Sequence, residues 1–180
     1  WFFSAYFMIY AGGMPRLTPA MQIEAASPLD LSLIMIPPAE IVDRIGYDPT
    51  TTSLRTVLGR PLYALGTPGF PIDQLYADDG SVLTTLSQAE SVQLAAGFLK
   101  LPASNLQMVG TLNAVDQWTI SNAGDLPLYK FAVADEAGTE IYVSPGKATV
   151  AVVTTSRSRT LAWLGTIPHW FYFDALRANQ

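Results

Sequence analysis

Ser87-Gln88-Ala89-Glu90-Ser91-Val92-Gln93-Leu94-Ala95-Ala96-Gly97-Phe98-Leu99-Lys100-Leu101-Pro102 is the stretch whose reading decides the fold. A serine followed three residues later by a glutamate, ahead of an apolar run, is a capping box. The serine hydroxyl takes one orphan N–H of the first turn, and the glutamate returns to the cap's own N–H. The spacing predicts a helix from Ser87 to about Leu99, ended at Lys100-Leu101-Pro102 because proline cannot continue it. Downstream, strand candidates fall at 106–112, 117–120, 128–134, 140–143 and 149–155. Upstream the same order is readable. Pro37-Pro38 open a short helix over 39–45 closed by Gly46, and strand-like runs follow at 53–58, 61–65, 72–76 and 81–85 around the turn Ala77-Asp78-Asp79-Gly80. Pro61-Leu62-Tyr63 is matched by Pro127-Leu128-Tyr129. The expected class is α+β, a duplicated helix-on-antiparallel-sheet unit over 17–85 and again over 86–155.

Composition narrows the function classes. At 180 residues and 49% apolar the chain can build a packed core, while 14% charged residues is low against the roughly 25% of soluble domains. There is no Cys, which excludes a disulfide framework, a thiolate zinc site and a cysteine nucleophile together. Residues 17–154 carry six Lys and Arg against fourteen Asp and Glu, whereas 155–180 carry three Arg and one Asp. An acidic body repels a phosphate backbone, so nucleic acid is not an expected partner.

Both ends look different from the body. Residues 1–14, from Trp1 to Met14, contain no charge, and Pro15-Arg16 follow. As a helix they would span about 21 Å, short of the roughly 30 Å hydrocarbon core, so residues 1–16 read as the end of a transmembrane helix with Tyr6 and Tyr10 at its interface. A buried core helix and a signal-peptide remnant are the alternatives; the remnant lacks a basic start. Residues 156–164 read as a short helix stopped by Gly165 and Pro168. Within and after it, Trp163, Trp170, Phe171, Tyr172 and Phe173 lie beside Arg157, Arg159 and Arg177, a composition suited to a headgroup layer. Residues 156–180 are therefore expected to be membrane-proximal, with Trp163, Trp170, Tyr172 and Arg177 at the interface. A C-terminal aromatic helix packed on the domain is the alternative.

Specific text recurs in the second half: Asp116-Gln117-Trp118-Thr119, Pro127-Leu128-Tyr129, Gly138-Thr139-Glu140-Ile141-Tyr142-Val143-Ser144, Thr154-Thr155 with Arg157 and Arg159, Trp163-Leu164-Gly165, and Ile167-Pro168-His169-Trp170 through Leu176-Arg177. On these residues the chain resembles the PepSY-domain membrane proteins that carry PepSY-associated transmembrane helices. Trp118, Tyr142, Ser144, Pro168, His169 and Trp170 are the positions that carry the motif. The resemblance implies a cystatin-like helix-on-sheet module, twice, held outside the cytoplasm of a bacterium by its inner membrane. One departure is visible: where the family has a Thr-Gly-Glu turn, this chain has Lys147-Ala148-Thr149 preceded by Pro145-Gly146, so the hairpin is expected to turn earlier.

Candidate chemistry is sparse. His169 is the only histidine, so no two-histidine metal site can form from this chain alone. It reads as a structural histidine or as a haem ligand completed by other membrane helices; this stretch of chain by itself calls for no cofactor and no metal. Asp78-Asp79 and Asp135-Glu136 could pair as general acid and base, but each sits in a turn closed by Gly80 or Gly138, where acids bond the local backbone. Two functions follow. One is a noncatalytic periplasmic module that binds a ligand or partner, such as a peptidase it restrains, beside the lipid bilayer. The other, implied by the resemblance, is the substrate-facing part of a haem-bearing siderophore reductase.

Overall fold

The computed structural model describes residues 2–177. In chain order it contains α1 (Phe2–Ala11), α2 (Pro19–Ala25), α3 (Pro38–Ile45), β1 (Thr51–Val57), β2 (Arg60–Gly66), β3 (Asp73–Tyr76), α4 (Gln88–Leu99), β4 (Leu106–Leu112), β5 (Leu128–Val133), β6 (Glu140–Ser144), β7 (Thr149–Thr154), α5 (Ser156–Leu164), α6 (Thr166–Trp170) and α7 (Asp174–Arg177). The class is mixed α+β with two antiparallel sheets, ordered β1-β2-β3 and β4-β5-β6-β7. The chain divides into two compact units, residues 26–85 and residues 1–25 with 86–180.

In the smaller unit Pro38 starts α3, where a missing N–H costs nothing, and Gly46 closes it at φ +76°. Ile41, Val42 and Ile45 form the helix face that packs on Leu54, Tyr63, Leu65 and Leu75 of the sheet. The register Leu54↔Tyr63↔Leu75 sets these three side by side on one face. The Tyr63 hydroxyl donates to Ile36 O at 3.1 Å, tying the lead-in of α3 to the central strand. Residues 81–85 form no strand, only a bridge from Val82 to Leu75. The reason is local: Asp79 Oδ1 accepts the Ser81 N–H at 2.8 Å and its hydroxyl at 2.6 Å, which holds Ser81 in the turn.

In the larger unit the capping box is formed in both directions, Glu90 N–H to Ser87 Oγ and Ser87 N–H to Glu90 Oε2. Ala95 at the centre of α4 packs on Phe131, Ile141, Val143 and Val150, and the register Met108↔Phe131↔Ile141↔Val153 aligns that face across all four strands. Residues 17–25, expected in the first unit, group with this one, where Leu17 joins the same core. Both Pro-Leu-Tyr tripeptides fall at the start of the second strand of their sheets. Tyr63 and Tyr129 face the helix side, while Leu62 and Leu128 are fully buried on the other.

Two further expectations are corrected. Residues 117–120 are a turn, because Asp116 Oδ1 accepts the N–H groups of Trp118 and Thr119 and the Thr119 hydroxyl, outcompeting a ladder. Pro168 stops nothing: the chain breaks at Gly165 and resumes as α6, with Pro168 in its first turn, where no intrahelical N–H is required. The hairpin between β6 and β7 turns over residues 145–148, and Ala148 takes φ +47° there.

α1 packs against α5 and α6, so the two ends of the chain lie together within this unit. Ser4, Phe7, Met8 and Ala11 form its inward side, while Phe2, Phe3, Tyr6, Ile9 and Tyr10 are exposed. Ten residues make about 15 Å, and no described helix is long and apolar enough to cross a membrane. The close approach is at Gly165, where an added Cβ would lie 2.8 Å from Met8 N and 3.0 Å from Phe7 C.

Two stability measurements check this account. Ser87→Ala removes the cap of α4 and is expected to lower unfolding free energy by about 1 kcal/mol in urea titration. Gly165→Ala overpacks the contact with α1 and is expected to cost roughly 1–3 kcal/mol, with faster proteolysis within residues 2–11.

Candidate functional site

The second face of the larger sheet is apolar at one end, with Leu128, Tyr142 and Val152, and charged at the other. Period-2 alternation and the register Lys130↔Tyr142↔Val152 and Ala132↔Glu140↔Thr154 place Lys130, Tyr142, Glu140 and Thr154 on this face. Lys130 Nζ lies 3.0 Å from Glu140 Oε2 and 5.3 Å from the centroid of the Tyr142 ring. Arg159 reaches in from α5, 3.4 Å from the same Glu140 oxygen. It also donates to Thr154 Oγ1 at 2.7 Å, to Gly138 O at 3.0 Å and to Ser156 Oγ at 3.3 Å. Lys130, Glu140 and Arg159 are each about one-fifth exposed at the side chain (18%, 22% and 20%), so their charges are only partly screened by water.

Tyr142 is the hub. Its hydroxyl lies 3.2 Å from Asp116 Oδ2 and 3.2 Å from Glu140 Oε2, one proton between two carboxylates. Burial first, and then the negative charges of Asp116 and Glu140, push the phenol far above the usual tyrosine range. Tyr142 is therefore a fixed donor, neither a nucleophile nor a base near neutral pH. Above it Trp118 and Trp163 meet edge to face at 6.4 Å, and Trp163 continues to Phe173. Together with Lys130, Glu140 and Arg159 the two tryptophans line a shallow cavity of about 340 Å³.

The expected motif positions distribute over this unit. Ser144 Oγ donates to Asp125 O at 2.7 Å, below the hub. His169 Nδ1 pairs with Ser4 Oγ at 3.2 Å, joining α6 to α1. Among the described residues no group of three or more His, Asp or Glu side chains is arranged to hold a metal ion. The Tyr6 and Tyr10 rings lie 5.4 Å apart, tilted by 58°, on the exposed side of α1, and Trp163 and Trp170 are each 48% exposed. Tyr172 is held by Gln117, whose Nε2 donates to Tyr172 O at 2.7 Å while its Oε1 accepts the Asp174 N–H at 3.0 Å. Pro168 lies inside α6. The Arg177 side chain lies outside the described residues.

Three of the four acids in the turn pairs are held by identifiable partners. Arg60 holds Asp78 through two contacts of 2.6 and 2.7 Å, and its hydrogen bonds set that carboxyl below the ordinary range. Asp79 is lowered chiefly by the hydroxyl and N–H of Ser81. Asp135 is lowered by the hydroxyl and N–H of Thr139 at 2.6 and 2.9 Å. All three are strongly ionised at neutral pH, which unfits them as general acids.

A second cavity of about 610 Å³ runs beside β7. Its walls include Arg16 and Leu17, Gln117 and Trp118, and Trp170 and Tyr172. Sequence reasoning misses Lys130, although its place opposite Tyr142, beside Glu140 on the same face, is the kind of cross-strand pairing that register reveals. It misses the cavity too, since residues more than a hundred apart in sequence build it. Searches against models of known families, curated proteins and solved structures give no match for this chain.

The hub predicts an alkaline signature. A phenol raised in the folded state contributes stability below about pH 10, the ordinary tyrosine value, and loses it as pH rises toward the folded value. Wild-type protein is expected to lose stability steeply from about pH 10 upward. Tyr142→Phe should flatten that decline without abolishing it, because Tyr63 is raised by its own burial and Tyr47 by its bond to Asp73. Melting temperatures recorded across the alkaline range would check it; parallel curves for the two proteins would refute it.

Proposed function

We propose that this chain is an extracytoplasmic PepSY-type domain of a bacterial inner-membrane protein, built from two copies of a cystatin-like unit, and that it binds a ligand or partner without catalysing a reaction. The observation that carries the reading is the meeting of residues from the family-like text, in which Trp118 and Tyr142 of the motif positions take part. Asp116, Trp118, Glu140, Tyr142, Arg159 and Trp163 are spread over about fifty residues yet meet around one phenol. Two further observations support it. Each unit has a helix followed by an antiparallel sheet, with the Pro-Leu-Tyr tripeptide on the second strand. α1 also keeps Phe2, Phe3, Tyr6, Ile9 and Tyr10 outward, an apolar side that is unfavourable in water and suited to lipid.

The partner on this reading is a peptidase or a siderophore-like ligand, and the bilayer borders the α1 side. The test is a flotation assay with the intact chain and a truncation beginning at residue 17, on vesicles of mixed zwitterionic and anionic phospholipid. The intact chain is expected to float and the truncated chain to stay in the dense fraction, folded by circular dichroism. Equal behaviour of the two would refute the membrane placement. Unaided hydrolysis of a peptide, or reduction of a ferric chelate, by the purified chain would refute the noncatalytic part.

A further inference from the structure

We infer that the outer edge of β7 is a strand-addition site for an extended peptide, which names the class of partner for the binding reading above and rests on it. Among the described residues the sheet order leaves β7 with β6 on one side and no strand on the other. The direction of its backbone groups follows from one hydrogen bond. Val133 N–H donates to Thr139 O at 2.9 Å, so Thr139 faces β5. By the alternation of antiparallel ladders Glu140 and Tyr142 then face β7, and Val153, opposite Ile141, turns its N–H and C=O to the open side. Among the described residues no backbone-to-backbone bond outside the sheet uses residues 149–154.

Open edges of this kind are normally covered or blunted, because unpaired N–H and C=O groups recruit another strand. Here the strand lines the cavity of about 610 Å³ through Thr149, Val150, Ala151 and Val152, and the open groups of Val153 follow just beyond that lining. Four residues of strand extend about 13 Å, enough to register a short peptide. Two features favour a single strand over a second copy of the chain. The cavity has residues 12–17 on its rim as well as residues from 117 to 122, so an approaching sheet, with side-chain layers above and below, meets walls that a lone strand passes between. The ladder also shifts register between Tyr142 and Val143, leaving Ala151 as the extra residue, and such a bulge bends the edge away from flat sheet-to-sheet pairing.

The walls set the chemistry of the occupant. Arg16 is exposed and has no carboxylate partner among the described residues, which calls for an acidic residue on the peptide. Trp118 and Trp170 offer aromatic surface for apolar side chains. The occupant is thus an extended segment with main-chain hydrogen bonds for affinity and an acidic and an apolar residue for selectivity.

The experiment selects binders to the intact chain from a library of random linear dodecapeptides, then measures amide hydrogen exchange with and without the best synthetic peptide. Slowing of the Val153 amide by at least tenfold is expected. So is at least a tenfold loss of affinity when alternate amides of the peptide are N-methylated, which leaves the protein untouched, and a comparable loss for Arg16→Glu. Peptides that bind while Val153 exchanges as before, or that tolerate N-methylation, overturn strand addition and leave the binding reading standing. A library that yields no binder overturns it as well, and so does a peptide-free dimer in sedimentation with β7 protected. The binding reading itself falls only to turnover of a substrate, a separate assay.

Discussion

One phenol proton between two carboxylates is the constraint around which the larger unit is organised. Tyr142 stands on β6, Asp116 in the turn before β5, and Glu140 shares its oxygen with Lys130 of β5 and Arg159 of α5. A partly buried network is worth most when every member is satisfied and costs most when one is removed, because the remaining charge is left without compensation. Arg159 gives this set its reach. It leaves the sheet face through α5, and α5 leads at Gly165 into α6, against which α1 packs. The hub on the sheet and the position of the apolar N-terminal helix are therefore mechanically linked within one unit.

How much of this could be read beforehand follows the range of the interactions. Helix α4 was legible because its start is written within four residues, Ser87 to Glu90, and its core face repeats at helical spacing. α5 was legible from the Gly165 stop. Its cap is an equally local pair that went unread, Thr155 and Ser158 exchanging backbone and side-chain bonds at 3.1 and 2.8 Å. Errors arose where a side chain competed with the backbone. The run from Gln117 to Ile120 has strand composition, yet one Asp116 carboxylate oxygen collects three donors and makes a turn. Ser81 was captured by Asp79 in the same way. Pro168 misled for the opposite reason, since proline ends a helix only past its first turn.

The site was legible in its residue types and not in its geometry. Trp118, Tyr142, Glu140 and Arg159 stood out as text, but nothing in their spacing says that a phenol would sit between two acids. Their meeting depends on the register of β5, β6 and β7 and on the angle at which α5 leaves the sheet. His169 shows the converse. As the lone histidine beside a proline and a tryptophan it drew attention as a ligand, while its partner, Ser4, lies 165 residues away in a segment read as membrane helix. A small polar residue in an uncharged stretch carries no such pairing in its local sequence.

The N-terminal helix carries the remaining tension in the structure. A helix that is apolar on all sides is stable in water only if it is enclosed, and five of the ten residues of α1 are exposed. Its outward residues are aromatic or branched, Phe2, Phe3, Tyr6, Ile9 and Tyr10, and burying such surface is worth about 25 cal/mol per Å². Its inward side carries Ser4, which meets His169, together with Phe7, Met8 and Ala11, and its backbone at Phe7 and Met8 comes close to Gly165 between α5 and α6. Aromatic and branched residues on the outward side reverse the usual order of a water-facing helix. The same contacts fix the direction of α1, which runs antiparallel to α6, with residue 4 beside residue 169 and residue 8 beside residue 165. Through α6 and α5 that helix is joined to Arg159, which reaches the hub on the sheet.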